Sequence, residues 1–197
     1  MPKINYLLSS LSSRGVSGTV KEILQSYFWV NHFLVFHKNL QTQGPSIRKN
    51  ENVVVKRINL DELEQIRRKE SLPVEFYCDR SHNLRTLYLA YLNGEVAAIQ
   101  WVVKKGEYSR FLNLSEMDLE FNYSTVLPRF RGKRIAQLLK AVIIQEYSDS
   151  EYKRMFSVVN AENIAQYKPM LELGFEPVEV LTHYGTHRPK ATLRYVK

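Results

Sequence analysis

Between residues 52 and 126, aliphatic and aromatic residues fall in short runs separated by turn-forming residues, which is the pattern of a β-sheet. Two runs are joined by Asn93-Gly94, the dipeptide that best suits a tight hairpin turn. The last run ends at Leu127-Pro128, because proline cannot donate to a strand ladder. The predicted strands of this part are Asn52–Ile58, Thr86–Leu92, Glu95–Val103 and Met117–Val126.

From residue 135 onward the spacing of apolar residues changes to that of helices. Five of them recur at intervals of three and four and give a helix to about Tyr147 one apolar face: Ile135, Leu138, Leu139, Val142 and Ile143. A second predicted helix, Asn163–Leu173, is followed by Gly174, a residue that commonly ends helices. A shorter helix, Asp61–Lys69, begins with acidic residues, which suit a helix start.

The remaining predicted strands lie between and after the late helices. They are Arg154–Val159, Phe175–Thr182 and Ala191–Val196, the last two on either side of the loop His183–Lys190. Strands that alternate with helices in this way predict an α+β domain with a mixed sheet and two crossover helices.

A composition break at Gly44-Pro45-Ser46 divides the chain into an N-terminal extension, residues 1–50, and a domain of residues 51–197. The extension has six Lys/Arg residues against one acid, Glu22, and eight of the ten residues Tyr27–Phe36 are apolar. Two alternatives are open. Either the extension lies on an anionic membrane surface, or its apolar face packs on the domain or across a homodimer. Helical spacing supports an apolar face made of Val20, Ile23, Leu24, Tyr27 and Phe28.

Composition and charge narrow the function classes. The net charge of +8 favours anionic partners, which could be a phosphorylated cofactor, a membrane surface or nucleic acid. Cys78 is the only cysteine, so no intramolecular disulfide can form, and the five histidines show no metal-binding spacing, so no metal is predicted. Without a signal peptide pattern or a run of 18 apolar residues, the expected location is cytoplasmic.

The most informative segment is residues 126–136, in which a predicted strand passes through a basic loop into a helix. The first N–H groups of a helix lack intrahelical partners and favour anions. Gly132 lets a phosphate approach the backbone closely. Arginine side chains can bind phosphate oxygens with two hydrogen bonds. The loop therefore predicts a pyrophosphate site, with added charge from Arg129, Arg131, Lys133 and Arg134.

This segment resembles motif A of the GNAT superfamily of acyl-CoA-dependent N-acyltransferases, with Arg131-x-x-Arg134-x-Ala136 as its core and Arg134 where glycine is usual. A second similarity, from Asn163 to Gly174-Phe175, follows in the expected order. The resemblance covers residues 117–176 and implies a mostly antiparallel central sheet flanked by helices. It also implies that acetyl-CoA, or another acyl-CoA, is bound by Val126, Arg131, Gly132, Lys133, Arg134, Ile135, Ala136 and Asn163.

The resemblance also implies catalytic groups. Glu120 lies where many members carry a glutamate base, with Asp118 as the next candidate. Strand alternation predicts that Asp118, Glu120, Asn122, Ser124 and Val126 share one face, which would be either a wet cleft or simple solvent exposure. Backbone N–H groups near Val126 would stabilise the developing oxyanion.

The proton donor for the departing thiolate is harder to assign, because Met170 stands where the family usually has a tyrosine. Tyr167, one helical turn earlier, could take the role if Pro169 kinks the helix, or it could be a packing residue. The loop residues His183, Tyr184 and His187 are candidates for contact with the acceptor.

The expected function is transfer of an acyl group, most simply acetyl, to a primary amine acceptor. A GNAT-fold acyl-CoA-binding module without catalysis is the first alternative, and the substitutions at Arg134 and Met170 favour it. A nucleic-acid-binding protein is the second alternative, but no recognised nucleic-acid-binding motif is present.

Overall fold

The computed structural model describes residues 30–42, 44 and 50–184. Within them, seven strands form one sheet in the order β2-β3-β4-β5-β6-β1-β7. The strands are β1 (Val30–Asn39), β2 (Val53–Ile58), β3 (Thr86–Leu92), β4 (Glu95–Val103), β5 (Asp118–Val126), β6 (Arg154–Asn160) and β7 (Glu176–Tyr184).

Neighbouring strands are antiparallel except for β5 and β6, which are parallel. Both residues of the turn between β3 and β4, Asn93 and Gly94, have positive φ, at 53° and 83°. Those values suit the tight hairpin turn that the sequence predicts. The predicted fold class, a mixed and mostly antiparallel sheet with helices, is confirmed.

The helices are α1 (Leu60–Arg67), α2 (Cys78–His82), α3 (Ile135–Ser148) and α4 (Ile164–Glu172). Asn59 begins α1 with a capping box in which its side chain and that of Glu62 each accept a backbone N–H. The apolar face of α3 packs against β2–β5, and Leu139 and Ile143 are fully buried. A 3-10 turn at Val74–Tyr77 and helix α2 occupy a stretch whose sequence pattern predicts neither helix nor strand.

Strand β1 lies inside the sheet, although the composition break at Gly44-Pro45-Ser46 predicts that its residues belong to an N-terminal extension. It pairs antiparallel with β6 on one side and with β7 on the other. Val35 and Phe36 are fully buried there. Of the two alternatives, a membrane surface or packing on the domain, the structure shows packing on the domain for residues 30–39.

Several predictions concern residues outside the described ranges. They include the helical face Val20–Phe28, the strand Ala191–Val196 and the loop residue His187. Of the described helices, none has the length and apolar character needed to cross a membrane.

Candidate functional site

The segment between β5 and α3 has a distinctive backbone conformation, with a 3-10 turn and two residues with positive φ. Leu127 leads into a 3-10 turn, Pro128–Phe130, whose phenylalanine is buried. Gly132 then takes a positive φ of 78°, and Arg134, the residue before α3, takes φ 56° and ψ 19°. The left-handed region is costly for a residue with a Cβ atom and free for glycine. Arg134 thus keeps the backbone conformation that glycine, usual at this position in the resembled motif, would adopt without strain.

The start of α3 opens onto a cleft of about 370 Å³. The side chain of Arg134, the N-cap residue, makes no capping hydrogen bond, so the N–H groups of the first turn remain available to an anion in the cleft. The cleft is lined by the end of β5, the basic loop, the start of α3 and the start of α4: Ser124, Thr125, Val126, Phe130, Arg131, Gly132, Lys133, Arg134, Ile135, Ala136, Gln137, Lys140, Ala165, Gln166 and Pro169.

Three of the four basic residues of the loop line this cleft: Arg131, Lys133 and Arg134. The Arg131 Nε donates to the Val126 carbonyl at 3.4 Å, which ties the loop back to the end of β5. Arg129 instead lies beside Glu70 and Glu95, with Nη2–Oε2 distances of 3.3 Å and 3.5 Å. The residues predicted to bind the cofactor are thus brought together around one cleft, except Asn163, and the basic residue Arg129 lies apart from it.

A gap between β5 and β6 creates a second cleft. The parallel pairing begins at Asp118 and Arg154 and extends only to Phe121 and Ser157. A cleft of about 270 Å³ opens beyond that point. Its walls are mostly polar: Phe33, Glu75, Gln100, Arg110, Phe111, Glu120, Phe121, Asn122, Tyr123, Ser124, Lys140, Ser157, Val158, Asn160, Asn163 and Gln166. Asn163, predicted as a cofactor residue, stands in this second wall.

A bulge in β5 changes which of its residues share a face of the sheet. Asn122 pairs with Trp101 and Thr125 pairs with Ile99, so Tyr123 and Ser124 together face Gln100. Tyr123 has φ 46°, and its N–H is bound by the Asn122 side chain at 2.9 Å. Because paired residues share a face, the extra residue places Thr125 with Glu120 and Asn122, and Val126 on the opposite face. The prediction that residues 118–126 keep one alternation was wrong beyond Asn122.

Glu120 is buried at the second cleft, with 1% of its surface exposed. Burial raises its pKa to about 7, and interaction with the Ser109 hydroxyl offsets part of the rise. Its Oε1 accepts a hydrogen bond from the Asn122 amide at 3.3 Å, whereas Oε2 has no hydrogen-bond partner among the described residues. A carboxyl group in this state can take up a proton near neutral pH.

The other candidate acids and bases lie away from the clefts. Asp118 is fully paired with Arg154 and lines neither cleft. Tyr167 packs edge-on against Phe36, with ring centroids 5.3 Å apart, and it too is absent from both walls. This position favours the packing role that the sequence left open for Tyr167. Met170 is buried in the core.

His183 is buried on β7, where it pairs with Asn31 of β1, and it is not among the residues that line the two clefts. The side chain of Tyr184 and all of His187 lie outside the described part of the chain.

Three charged residues that line the clefts were not predicted from the sequence: Glu75, Arg110 and Lys140. Arg110 lies on the wall of the second cleft, with its guanidinium 4.8 Å from the centroid of the Phe111 ring, and no local pattern marks it. Lys140 lies on α3, four residues after Ala136. Side chains four apart share a helix face, so the position of Ala136 in the basic loop already indicated where Lys140 points.

No protein-family model matches the chain, and no curated protein matches it. Solved structures do. A GCN5-related N-acetyltransferase from Sphaerobacter thermophilus superposes with a TM-score of 0.56 at 13% identity, covering 91% of this chain and 59% of that one. An acetyltransferase of the GNAT family from Novosphingobium aromaticivorans superposes with a TM-score of 0.54 at 14% identity. This match covers 78% of this chain and 62% of that one.

The aminoglycoside N-acetyltransferase AAC(6')-Iy, solved in complex with CoA, has a TM-score of 0.50 at 20% identity and covers 71% of this chain and 97% of its own. The chain spans between 56% and 64% of the length of the first four solved structures that it matches. At these identities the likeness concerns the backbone architecture. The chain therefore has the fold of the GNAT acetyltransferases.

Proposed function

We propose that this chain transfers an acyl group, most simply acetyl, from CoA to a primary amine by direct attack within a ternary complex. The observation that carries the proposal is the meeting of two clefts at the gap between β5 and β6. One cleft has an uncapped helix start and basic side chains, and the other has a buried glutamate. Among the solved structures of the same fold, AAC(6')-Iy was captured with a CoA bisubstrate analogue.

The first cleft has the chemistry that a CoA pyrophosphate requires. N–H groups of the first turn of α3 would donate to phosphate oxygens, and Arg131, Lys133 and Arg134 would supply positive charge around them. The left-handed Arg134 keeps the backbone open to the phosphate.

In this mechanism the backbone N–H of Val126 polarises the thioester carbonyl. The N–H of Leu127 donates to the Ala97 carbonyl on β4. Successive N–H groups of a strand point to opposite sides, so the N–H of Val126 is directed away from β4 and toward the gap. A donor aimed at the place where charge develops is among the stronger contributions to catalysis.

In this mechanism Glu120 acts as the general base. Its ionised carboxylate takes a proton from the attacking nitrogen while the N–C bond forms and the C–S bond breaks. Because its pKa is about 7, the base form is available above neutral pH, and the rate should rise through that pH.

A binding module without catalysis is the second candidate function. It is favoured by Met170, whose side chain has no proton to donate, and by the packing of Tyr167 on Phe36 outside both cleft walls. This candidate keeps the cofactor cleft and predicts acyl-CoA binding with no transfer to any amine.

A paired substitution tests the proposed function. Gly132→Asp places a carboxylate at the helix start and should abolish thermal protection by acetyl-CoA, because the charge repels the pyrophosphate. Gly106→Asp is the matched control, since Gly106 also has a positive φ, 85°, with open space around it, but lies outside both clefts. Equal protection of both variants would contradict the cofactor assignment. A panel of amines with acetyl-CoA then separates a transferase from a binding module.

A further inference from the structure

The proposed function leaves the thiolate without a proton donor, and the geometry of the two clefts narrows where such a donor must be. If the cofactor occupies the first cleft and the amine the second, the reacting thioester lies where they meet. The residues common to both walls are Ser124, Lys140 and Gln166.

Only one of these three side chains can act as an acid near neutral pH. The glutamine amide does not ionise, and a serine hydroxyl is far too weak an acid to protonate a thiolate. Lysine carries a transferable proton and is used in catalysis when burial lowers its pKa. Lys140 is therefore the acid that the junction offers.

The surroundings of Lys140 suit this role. Its ammonium group lies 5.9 Å from the centroid of the Phe121 ring on β5, at the point where the pairing of β5 and β6 ends. Burial lowers the pKa of Lys140 to about 8. The charged groups on the walls of the same two clefts are Glu75, Arg110, Glu120, Arg131, Lys133 and Arg134.

We propose that Lys140 is the general acid of the transfer, donating its ammonium proton to the CoA sulfur as the C–S bond breaks. This inference rests on the proposed function. The N–H proton of the amine passes to Glu120, the Lys140 proton passes to sulfur, and the products are an amide and CoA thiol. A proton then moves from Glu120 to Lys140 through solvent, which restores both groups.

Two substitutions separate proton donation from electrostatic attraction. Lys140→Met removes the acid, whereas Lys140→Arg keeps the positive charge on a guanidinium that does not give up its proton. Both should lower kcat by roughly 10²-fold or more, the range of general acid catalysis. CoA protection in a thermal-shift assay should stay close to wild type. Lys153→Met, at an exposed position outside both clefts, is the matched control and should leave kcat unchanged.

The pH profile gives a readout that a merely structural role would not change. In the wild type, kcat should fall above about pH 8 as Lys140 loses its proton. This basic limb should be missing from both Lys140 variants. A Lys140→Arg enzyme with normal kcat, or variants that retain the basic limb, would overturn the inference while leaving the proposed function intact. A wild-type chain that binds acetyl-CoA but acylates no amine would overturn both.

Discussion

Asp118 and Arg154 form a bidentate ion pair between β5 and β6, with Arg154 Nε to Asp118 Oδ1 at 2.7 Å and Nη2 to Oδ2 at 3.1 Å. The two residues are the first partners of the parallel ladder. Four residue pairs further on, the strands part and the second cleft opens. The ion pair therefore holds the strands together at one end, and the gap at the other end forms the site.

Removing one partner of this pair should destabilise the fold. Asp118 is 1% exposed, and Asp118→Asn removes the buried carboxylate that binds the Arg154 guanidinium, at an expected cost of about 3 kcal/mol in the free energy of unfolding. Urea denaturation measures the loss. The double variant Asp118→Asn, Arg154→Met should recover part of it, because both charges of the pair are then absent. A single variant as stable as wild type would show that the pair contributes little.

Glu120 should make stability depend on pH in the direction opposite to an ordinary carboxylate. Its folded pKa, about 7, lies above the usual 4.5, so the folded state holds the proton more tightly than the unfolded state. Stability should then fall as pH rises from about 4.5 to 7, by on the order of 3 kcal/mol for this group alone. Glu120→Gln should lose that slope and gain stability relative to wild type at pH 8. Parallel unfolding curves for the two proteins at every pH would contradict the raised pKa.

The left-handed conformation of Arg134 can be tested by substitutions that remove the same charge. Arg134→Gly relieves the strain of a Cβ at φ 56°, whereas Arg134→Ala keeps it. The glycine variant should be more stable than the alanine variant by about 1 kcal/mol, measured as a difference in unfolding free energy. Both lose the guanidinium, so their CoA affinities should fall together. A more stable alanine variant would contradict the backbone conformation.

Two N-terminal deletions distinguish the roles of the first residues. Deleting residues 1–29 leaves every described element intact, and the cooperative unfolding transition should remain. Deleting residues 1–44 removes β1, which pairs with strands on both sides, and separates β7 from the rest of the sheet. That variant should lose cooperative unfolding and aggregate. A soluble, cooperatively folded 45–197 chain would show that β1 is dispensable.

The sequence predicted those parts of the fold that rest on local patterns. The hairpin at Asn93-Gly94, the helix from Ile135 and the loop around Gly132 each carry their signal within a few residues. The bulge at Tyr123 does not, because a bulky residue with positive φ has no characteristic sequence and depends on the ladder with β4. The sequence alone does not reveal this bulge, so it could not show which face of the sheet the residues after Asn122 occupy.

The position of β1 lies beyond sequence reasoning for a different reason. Its apolar run indicates burial but does not indicate where, since its partners are set by pairing with residues more than a hundred positions later. The geometry of the site likewise depends on strand pairing that local sequence patterns do not indicate. Lys140 and Glu120 line one cleft because β5 and β6 part after Phe121, which no local pattern encodes.

The insertion of β1 between β6 and β7 also has a consequence for how the chain is made. As the polypeptide leaves the ribosome, β1 emerges more than a hundred residues before either of its partner strands. Its unpaired edges and the apolar side chains of Val35 and Phe36 remain exposed to water until β6 and β7 have been synthesised. Contacts so distant in sequence slow folding. Nascent chains of this protein should therefore depend on chaperone protection until β7 has emerged.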